Sequence, residues 1–410
     1  MSKYILLILF YMSSFFKVIQ AQYYPYSSVY YPFMDLDKNQ IDISDNELWD
    51  IFFQKLNRQW LVGDTVIKIV HFGGSHIQAD VWSNRVRQHF QRVSPYNHAG
   101  RGILFPFRVI KSNGSPYVKT KHSGKWTGFR NSVTSHESSF GVSGATAKLN
   151  DSIAKLDIWV NKNHCTNCYI EKLHLLYEDS LDNFCVEFNN DTLSSITSSN
   201  TLGVQTFCLS RPMDSISFSI KRMDSTPSLF NLYGLILESN NSGIQYHSVG
   251  VNGASVPSYL CCNYFQDHLN LISPDLVILS IGINDAYEPT FTKEEFMANY
   301  DSLIGIIKEV NPNVAILLTT NNDSYYKRKE PNERALIVRE SMYELAKKHQ
   351  AAVWDMFEIM GGLNSIALWE KHGLAKKDKI HLTVVGYKLI GDLMFEAMIK
   401  AYQTFIEENG

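Results

Sequence analysis

The feature that most constrains this chain is a repeated change of hydrophobic period. Thr65 to Phe72 is a β-branched, apolar run that stops at Gly73-Gly74, and from Ile77 to Arg92 the apolar positions Ile77, Val81, Val86 and Phe90 keep helical spacing. This reads as a buried strand, a tight glycine turn and a helix. The alternation returns later in the chain. Leu276 to Ile283 is a second buried strand, and Phe296, Tyr300, Leu303, Ile307 and Val310 then share one helix face. Val314 to Thr320 and Ala351 to Trp354 are further strands, with a helix carrying Val338, Met342 and Leu345 between them and a last helix carrying Leu389, Leu393 and Ala397. Apolar strands alternating with helices of this length require a parallel sheet covered on both faces.

The middle of the chain has a different texture. From Lys111 to Ser239, short runs rich in Val, Ile, Thr, Tyr and Phe alternate with Ser, Asn, Asp and Gly: Lys155 to Val160, Tyr169 to Leu176, Phe184 to Phe188, Val204 to Leu209, Ile216 to Ile220 and Leu232 to Leu237. Many short strands at regular spacing predict a β-sandwich. The expected organisation is an α/β domain over 64–110 and 240–410, interrupted by an all-β insertion over 111–239. An N-terminal segment, 22–63, precedes it and holds a helix from Ile43 to Leu61 opened by Ser44 or Asp45. Before that, Lys3, the apolar run Tyr4 to Phe16 and the small residue Ala21 form a secretory signal peptide, residues 1–21. The run is shorter than the ~20 residues that span a bilayer, and no later segment is long and apolar enough, so no integral span is expected after cleavage. Export to the periplasm or the cell exterior is the expectation.

Charge narrows the classes of function. The 38 Lys and Arg against 41 Asp and Glu give a net of -3 with no long block of one sign, which argues against a nucleic-acid binder. An exported location permits disulfides among the six cysteines. Cys165-x-x-Cys168 with Cys185 and Cys208 downstream lacks the second C-x-x-C of a zinc site, so disulfides or buried thiols are expected there rather than metal. Cys261 and Cys262 read as core. Nothing in the sequence fixes an oligomeric state.

Four short blocks carry chemistry. Ser75, in Phe72-Gly73-Gly74-Ser75-His76, stands where a buried strand ends and a helix begins, with free backbone N-H groups and the positive dipole end nearby. In Asp378-Lys379-Ile380-His381 a carboxylate three residues before a histidine reaches its Nδ1-H and leaves Nε2 free as a base. Gly250-Val251-Asn252-Gly253-Ala254 and Gly282-Ile283-Asn284-Asp285 both follow strands; Gly253 lets a backbone N-H approach a developing oxyanion, and Asn284 offers an amide donor. Each block taken singly also fits an ordinary turn or helix cap.

In the order Ser75, Gly253, Asn284, Asp378/His381, these blocks resemble the SGNH hydrolases, also called GDSL esterases, over about Thr65 to Arg108 and Ile244 to Gln403. The resemblance implies a flavodoxin-like three-layer α/β/α domain. It implies Ser75 as nucleophile, His381 as base oriented by Asp378, and an oxyanion hole from the N-H groups of Ser75 and Gly253 with the Asn284 side chain. His76, in Gly-Gly-Ser-His-Ile-Gln-Ala-Asp, and the long β-rich insertion are similar to the bacterial peptidoglycan O-acetylesterases. Gly74 departs from the pattern, since the family has Asp there. The expected activity is an exported serine esterase that removes O-acetyl groups from a glycan, peptidoglycan first, through an acetyl-enzyme and with no metal or other cofactor. A polysaccharide O-acetyltransferase, a plant-polysaccharide acetylesterase and a silent glycan-binding scaffold are the alternatives. Trp126 is the first candidate for an insertion residue that contacts glycan.

Overall fold

A computed structural model describes residues 31–44, 47–94, 97–160, 169–179, 183–188, 193–199 and 203–409. The proposed signal peptide, Asp45, Cys165 and Cys168 lie outside the described residues.

The central sheet is built from β1 (Ile41–Ile43), β2 (Val66–Gly73), β14 (Gly243–Gly250), β15 (Leu276–Ser280), β16 (Ala315–Thr319) and β19 (Ala352–Trp354), in the spatial order β1-β19-β16-β15-β2-β14. All pairs are parallel except β1 with β19. Its parallel strands therefore run in the order second, first, third, fourth, fifth, the flavodoxin-like winding that the resemblance implied. Alternate residues feed two cores. Ile67, Ile69, Leu276, Ile278 and Leu317 face the helices Glu47–Leu61, Trp82–Arg92 and Val384–Asn409. Val70, Phe72, Val277, Leu279 and Leu318 face Phe265–Ile272, Lys293–Val310 and Arg334–His349.

The inserted region holds β3 (Gly100–Leu104), β4 (Val118–His122), β5 (Trp126–Arg130), β6 (Ala145–Leu149), β7 (Ile153–Val160), β8 (Ile170–Asp179), β9 (Phe184–Phe188), β10 (Leu193–Ser199), β11 (Val204–Met213), β12 (Ser215–Arg222) and β13 (Phe230–Glu238). A sheet in the order β10-β11-β8-β13-β6-β5, with β3 on β13, faces a second sheet, β4-β7-β12-β9. Leu156, Ile158, Phe218, Phe207, Leu232 and Leu235 share the core between them. The sandwich-like insertion is thus present. The other face of β13, through Tyr233 and Ile236, joins the same core as Phe265 and Leu269 of the α/β domain.

Three expectations need correction. The described part of the segment 22–63, from Tyr31 on, does more than precede the α/β domain, because β1 extends the central sheet and Trp49, Phe52 and Phe53 enter its core. The crossing into the β-rich region comes by Gly100 rather than Lys111, since β3 pairs with β13. The single helix over 77–92 is two, Ser75–Gln78 and Trp82–Arg92, broken where Asp80 takes a left-handed φ of 53°. The buried Asp80 carboxylate accepts from Arg101, Ser115 (2.6 Å) and Ser83 (2.9 Å), which over-determines that conformation.

Cys185, Cys261 and Cys262 are free thiols; Cys262 is buried as expected, but Cys261 is exposed and is not a core residue. Among the described residues no helix is long and apolar enough to cross a membrane, and no three His, Cys, Asp or Glu side chains cluster as metal ligands.

Candidate active site

The strand order reverses at β2, between β14 and β15, and in such sheets the crevice beyond the carboxyl ends at this point is where ligands sit. Four segments converge there. β2 ends at Gly73, and the short helix that follows begins with Ser75. Gly73 pairs in register with Gly250 and with Ser280, which places the turns after β14 and β15 on either side of the serine. The loop before the last helix brings in His381.

Ser75 Oγ lies 2.8 Å from His381 Nε2, and His381 Nδ1 lies 3.0 Å from Asp378 Oδ2. The other Asp378 oxygen accepts the backbone N-H groups of Ile380 (3.0 Å) and His381 (2.9 Å). Burial pushes the Asp378 carboxyl up, but the backbone and ring N-H groups of His381 and the N-H of Ile380 outweigh it and hold it below the usual carboxylate range. A carboxylate fixed in this way keeps the imidazole proton on Nδ1 and leaves Nε2 to accept from the serine.

The backbone N-H groups of Ser75 and Gly253 donate to no acceptor among the described residues. Gly253 sits at φ 82°, a left-handed turn that glycine adopts without cost, and the nearest neighbour of a Cβ there would be Ser132 at 3.6 Å. The glycine is needed for conformation rather than for space. Asn284 points its Nδ2 at the Ala254 carbonyl, 2.8 Å away. All five residues singled out in the sequence are therefore brought together. Ser75, Gly253, Asn284 and His381 line one cavity of about 380 Å³, with Asp378 directly behind His381.

Gly74 has a local explanation. A Cβ built on it would lie 2.9 Å from Asn284 Nδ2 and 3.5 Å from the Ala254 oxygen. The missing side chain leaves the room that the Asn284 amide occupies. His76 is buried, with its ring 5.2 Å from that of His381. Burial, reinforced by the neighbouring His381, pushes its pKa down to about 3, so it is neutral at working pH. Its Nδ1 is 3.4 Å from Ser75 Oγ, longer than the His381 contact.

The sequence reading missed the residues that hold the turns. Gln78, one helical turn beyond Ser75 and 4% exposed, accepts from Asn252 N at 2.5 Å and donates to Ser112 Oγ (3.0 Å) and Asn113 O (2.8 Å). Ser132 donates to Asn252 O at 2.7 Å. Asn113 also lines the cavity, so the inserted region reaches the site directly. The one signal for Gln78 was a polar residue at the start of an apolar, helically spaced stretch. Asp285, beside Asn284, accepts from Val256 N at 3.1 Å while its other oxygen has no partner, and burial pushes its carboxyl up to about 7. Trp126, by contrast, is half-buried against the insertion core with its indole N-H bound to Ser123 O at 2.9 Å, which makes it a packing residue.

A doubly wound sheet with a serine, histidine and carboxylate at its switch point, beside free backbone donors, is the arrangement of a carboxylic ester hydrolase. Residues 214–389 match the family described as GDSL-like Lipase/Acylhydrolase, a segment that holds Gly253, Asn284, Asp378 and His381 but begins after Ser75. A solved structure of a peptidoglycan O-acetylesterase is similar over 89% of this chain and 99% of its own, with a TM-score of 0.74 and 18% identity. An acetylxylan esterase from Geobacillus stearothermophilus is similar over 39% of this chain and 73% of its own, with a TM-score of 0.30 and 20% identity. A lipase/acylhydrolase from Enterococcus faecalis covers 39% and 78%, with a TM-score of 0.31 and 20% identity. No curated protein matches the sequence.

Proposed function

We propose that this chain is an exported serine esterase that removes O-acetyl groups from a glycan, with peptidoglycan as the first substrate. The observation that carries the chemistry is the Ser75-His381-Asp378 chain of contacts, 2.8 Å and 3.0 Å long, at a cavity that also presents two unpaired backbone N-H groups. His381 Nε2 takes the Ser75 proton as Oγ attacks the acetyl carbonyl. The oxyanion that forms is held by the N-H groups of Ser75 and Gly253 and by Asn284 Nδ2, which has one N-H left beyond its bond to Ala254 O. The protonated His381 gives its proton to the departing sugar oxygen. Water activated by His381 then hydrolyses the acetyl-enzyme, and acetate leaves.

The glycan reading is supported by the near full-length similarity to a peptidoglycan O-acetylesterase and by the inserted β-rich region, which contributes Asn113 to the cavity. Export is supported by Lys3, the apolar run Tyr4 to Phe16 that follows it and the small residue Ala21 beyond. The test is acetate release from O-acetylated peptidoglycan and from acetylated xylan by the wild type and by Ser75→Ala. Faster release from peptidoglycan, lost in the variant, is the expected result. Equal rates on both polymers overturn the peptidoglycan assignment, and full activity in Ser75→Ala overturns the mechanism. N-terminal sequencing of the protein recovered from outside the cytoplasm should begin near Gln22.

A further inference from the structure

Two cationic segments meet at the mouth of the cavity. The first is a hairpin of β17 (Tyr325–Tyr326) and β18 (Glu330–Pro331), whose tip carries Lys327, Arg328 and Lys329, all exposed. The second is the loop holding Lys376, Lys377 and Lys379. Lys376 lines the cavity itself, and its backbone N-H donates to His381 O at 2.7 Å. The segments are joined: Tyr325 N donates to Lys379 O at 3.0 Å, and Lys379 Nζ lies 4.1 Å from the centre of the Tyr325 ring. Tyr287, which lines the cavity, donates its hydroxyl to Tyr325 O and packs its ring 5.3 Å from Tyr326. The cationic rim is therefore continuous with the cavity wall.

None of these six cations pairs with a carboxylate among the described residues. The two segments hold two carboxylates, Glu330 and Asp378, and Asp378 is committed to His381. In a chain of net charge -3, such a concentration does not follow from composition. Single exposed lysines contribute little to binding, but several unpaired ones beside a low-dielectric cleft add to a field that draws and orients an opposite charge.

We propose that this rim binds an anionic glycan, one that bears carboxylates along the chain, and holds it with an acetyl group in the cavity. The proposal rests on the ester-hydrolase reading of the site. A glycan fits better than an anionic bilayer for two reasons. The rim leads into a cleft that a flat surface cannot enter, and the hairpin tip, Lys-Arg-Lys, carries no apolar side chain to bury among acyl chains.

The test uses O-acetylated polygalacturonate and its carboxyl-reduced, uncharged counterpart. The quantity read is the ratio of kcat/KM on the two polymers, in the wild type and in the triple variant Lys327→Glu/Arg328→Glu/Lys329→Glu. A wild-type ratio of about tenfold or more is expected, carried by KM. It should collapse between about 20 mM and about 0.5 M salt, as the screening length shrinks from roughly 20 Å to roughly 4 Å. The triple variant should lose most of the ratio. A ratio near one that ignores salt, or one that survives the triple reversal, overturns the proposal while leaving the esterase intact. If neither polymer releases acetate although an aryl acetate is hydrolysed, this backbone is not the substrate glycan, and the glycan-esterase reading is decided by the peptidoglycan and xylan assay above. The rim is then judged by retention on immobilised, unacetylated polygalacturonate: retention lost in the triple variant sustains it, and no retention overturns it. Binding to phosphatidylglycerol vesicles with no retention on polygalacturonate assigns the rim to a membrane and overturns the proposal as well.

Discussion

Replacing Gly74 with alanine tests the site through a single methyl group. That methyl would stand 2.9 Å from Asn284 Nδ2, whereas non-bonded heavy atoms settle at about 3.5–4.0 Å. The amide must retreat by roughly half an ångström or more. Its 2.8 Å bond to Ala254 O then lengthens past the usual range or breaks. Full loss of one oxyanion donor costs about 10²- to 10³-fold in turnover, and a misplaced donor should cost a part of that, on the order of tenfold. The atom displaced is the far end of a side chain, so the fold should hold and the melting temperature change little. The decisive comparison is a double-mutant cycle on an aryl acetate. Asn284→Ala leaves nothing for the methyl to displace, so Gly74→Ala in that background should cost nothing further. If the two losses multiply instead, Gly74 acts through Ser75 or the backbone and the reasoning is wrong. Gly74→Asp, which adds a still larger side chain at the same point, should lower turnover at least as much as alanine.

Ser75→Ala and His381→Ala should each lower turnover of an aryl acetate by on the order of a thousandfold or more, and the double variant by no more than either alone; additive losses in the log would show that the two do not act as a unit. Gln78→Glu keeps the acceptor for Asn252 N but loses both donors, so it should raise KM for a glycan through a loosened Asn113 while holding kcat on an aryl acetate. Gln78→Ala should lower both activities and destabilise the protein by roughly 2–4 kcal/mol, and a glycan KM unchanged in Gln78→Glu would refute the division of roles. Asp285 has its folded pKa raised to about 7, above an unfolded value of about 3.9, so the native state holds a proton that the unfolded chain lacks between those values. Stability should fall as pH rises from about 4 to about 7 and level off above. Asp285→Asn keeps the acceptor for Val256 N and removes the titration, so its melting temperature should gain on the wild type across that window; a constant difference would sink the idea.

The parts of this protein that were legible in the sequence are those in which one strand or helix carries its own signal. β15 and β16 appear as almost unbroken apolar runs and β2 as a β-branched run interrupted by Lys68 and His71, so the serine after β2 and the asparagine after β15 could be placed from the sequence alone. The Asp378–His381 pair was legible for the same reason, since both partners lie within one turn. What stayed hidden depends on distant partners. β1 is three residues long and exists because β19 offers it an edge. The break at Asp80 is set by Arg101 and Ser115, which the helical spacing of Ile77, Val81 and Val86 cannot register. Gln78 looks like any polar helix residue until Asn252, 174 residues away, is brought to it. The rim was invisible for a further reason: its lysines lie in two short segments whose adjacency only the fold creates.

The pairing of β2 with β14 also bears on how the protein reaches its native state. These neighbours flank the whole inserted region, and β3 and β13 close its root as an antiparallel pair beside them, with His98 bridging to Ile244. Bringing Gly250 into register with Gly73 therefore means closing a very long loop. The entropic cost of closure grows only slowly with length, by about 0.6 kcal/mol per doubling, but a contact of such separation forms late unless the intervening chain has already compacted. The sandwich shortens that loop by folding, and the turn that carries Gly253 is in turn held by Ser132 from within it. Esterase competence should then return during refolding with the slowest phase of the inserted sheets rather than with the helices, and a chain still being synthesised would remain inactive until residues well beyond the serine had emerged and paired.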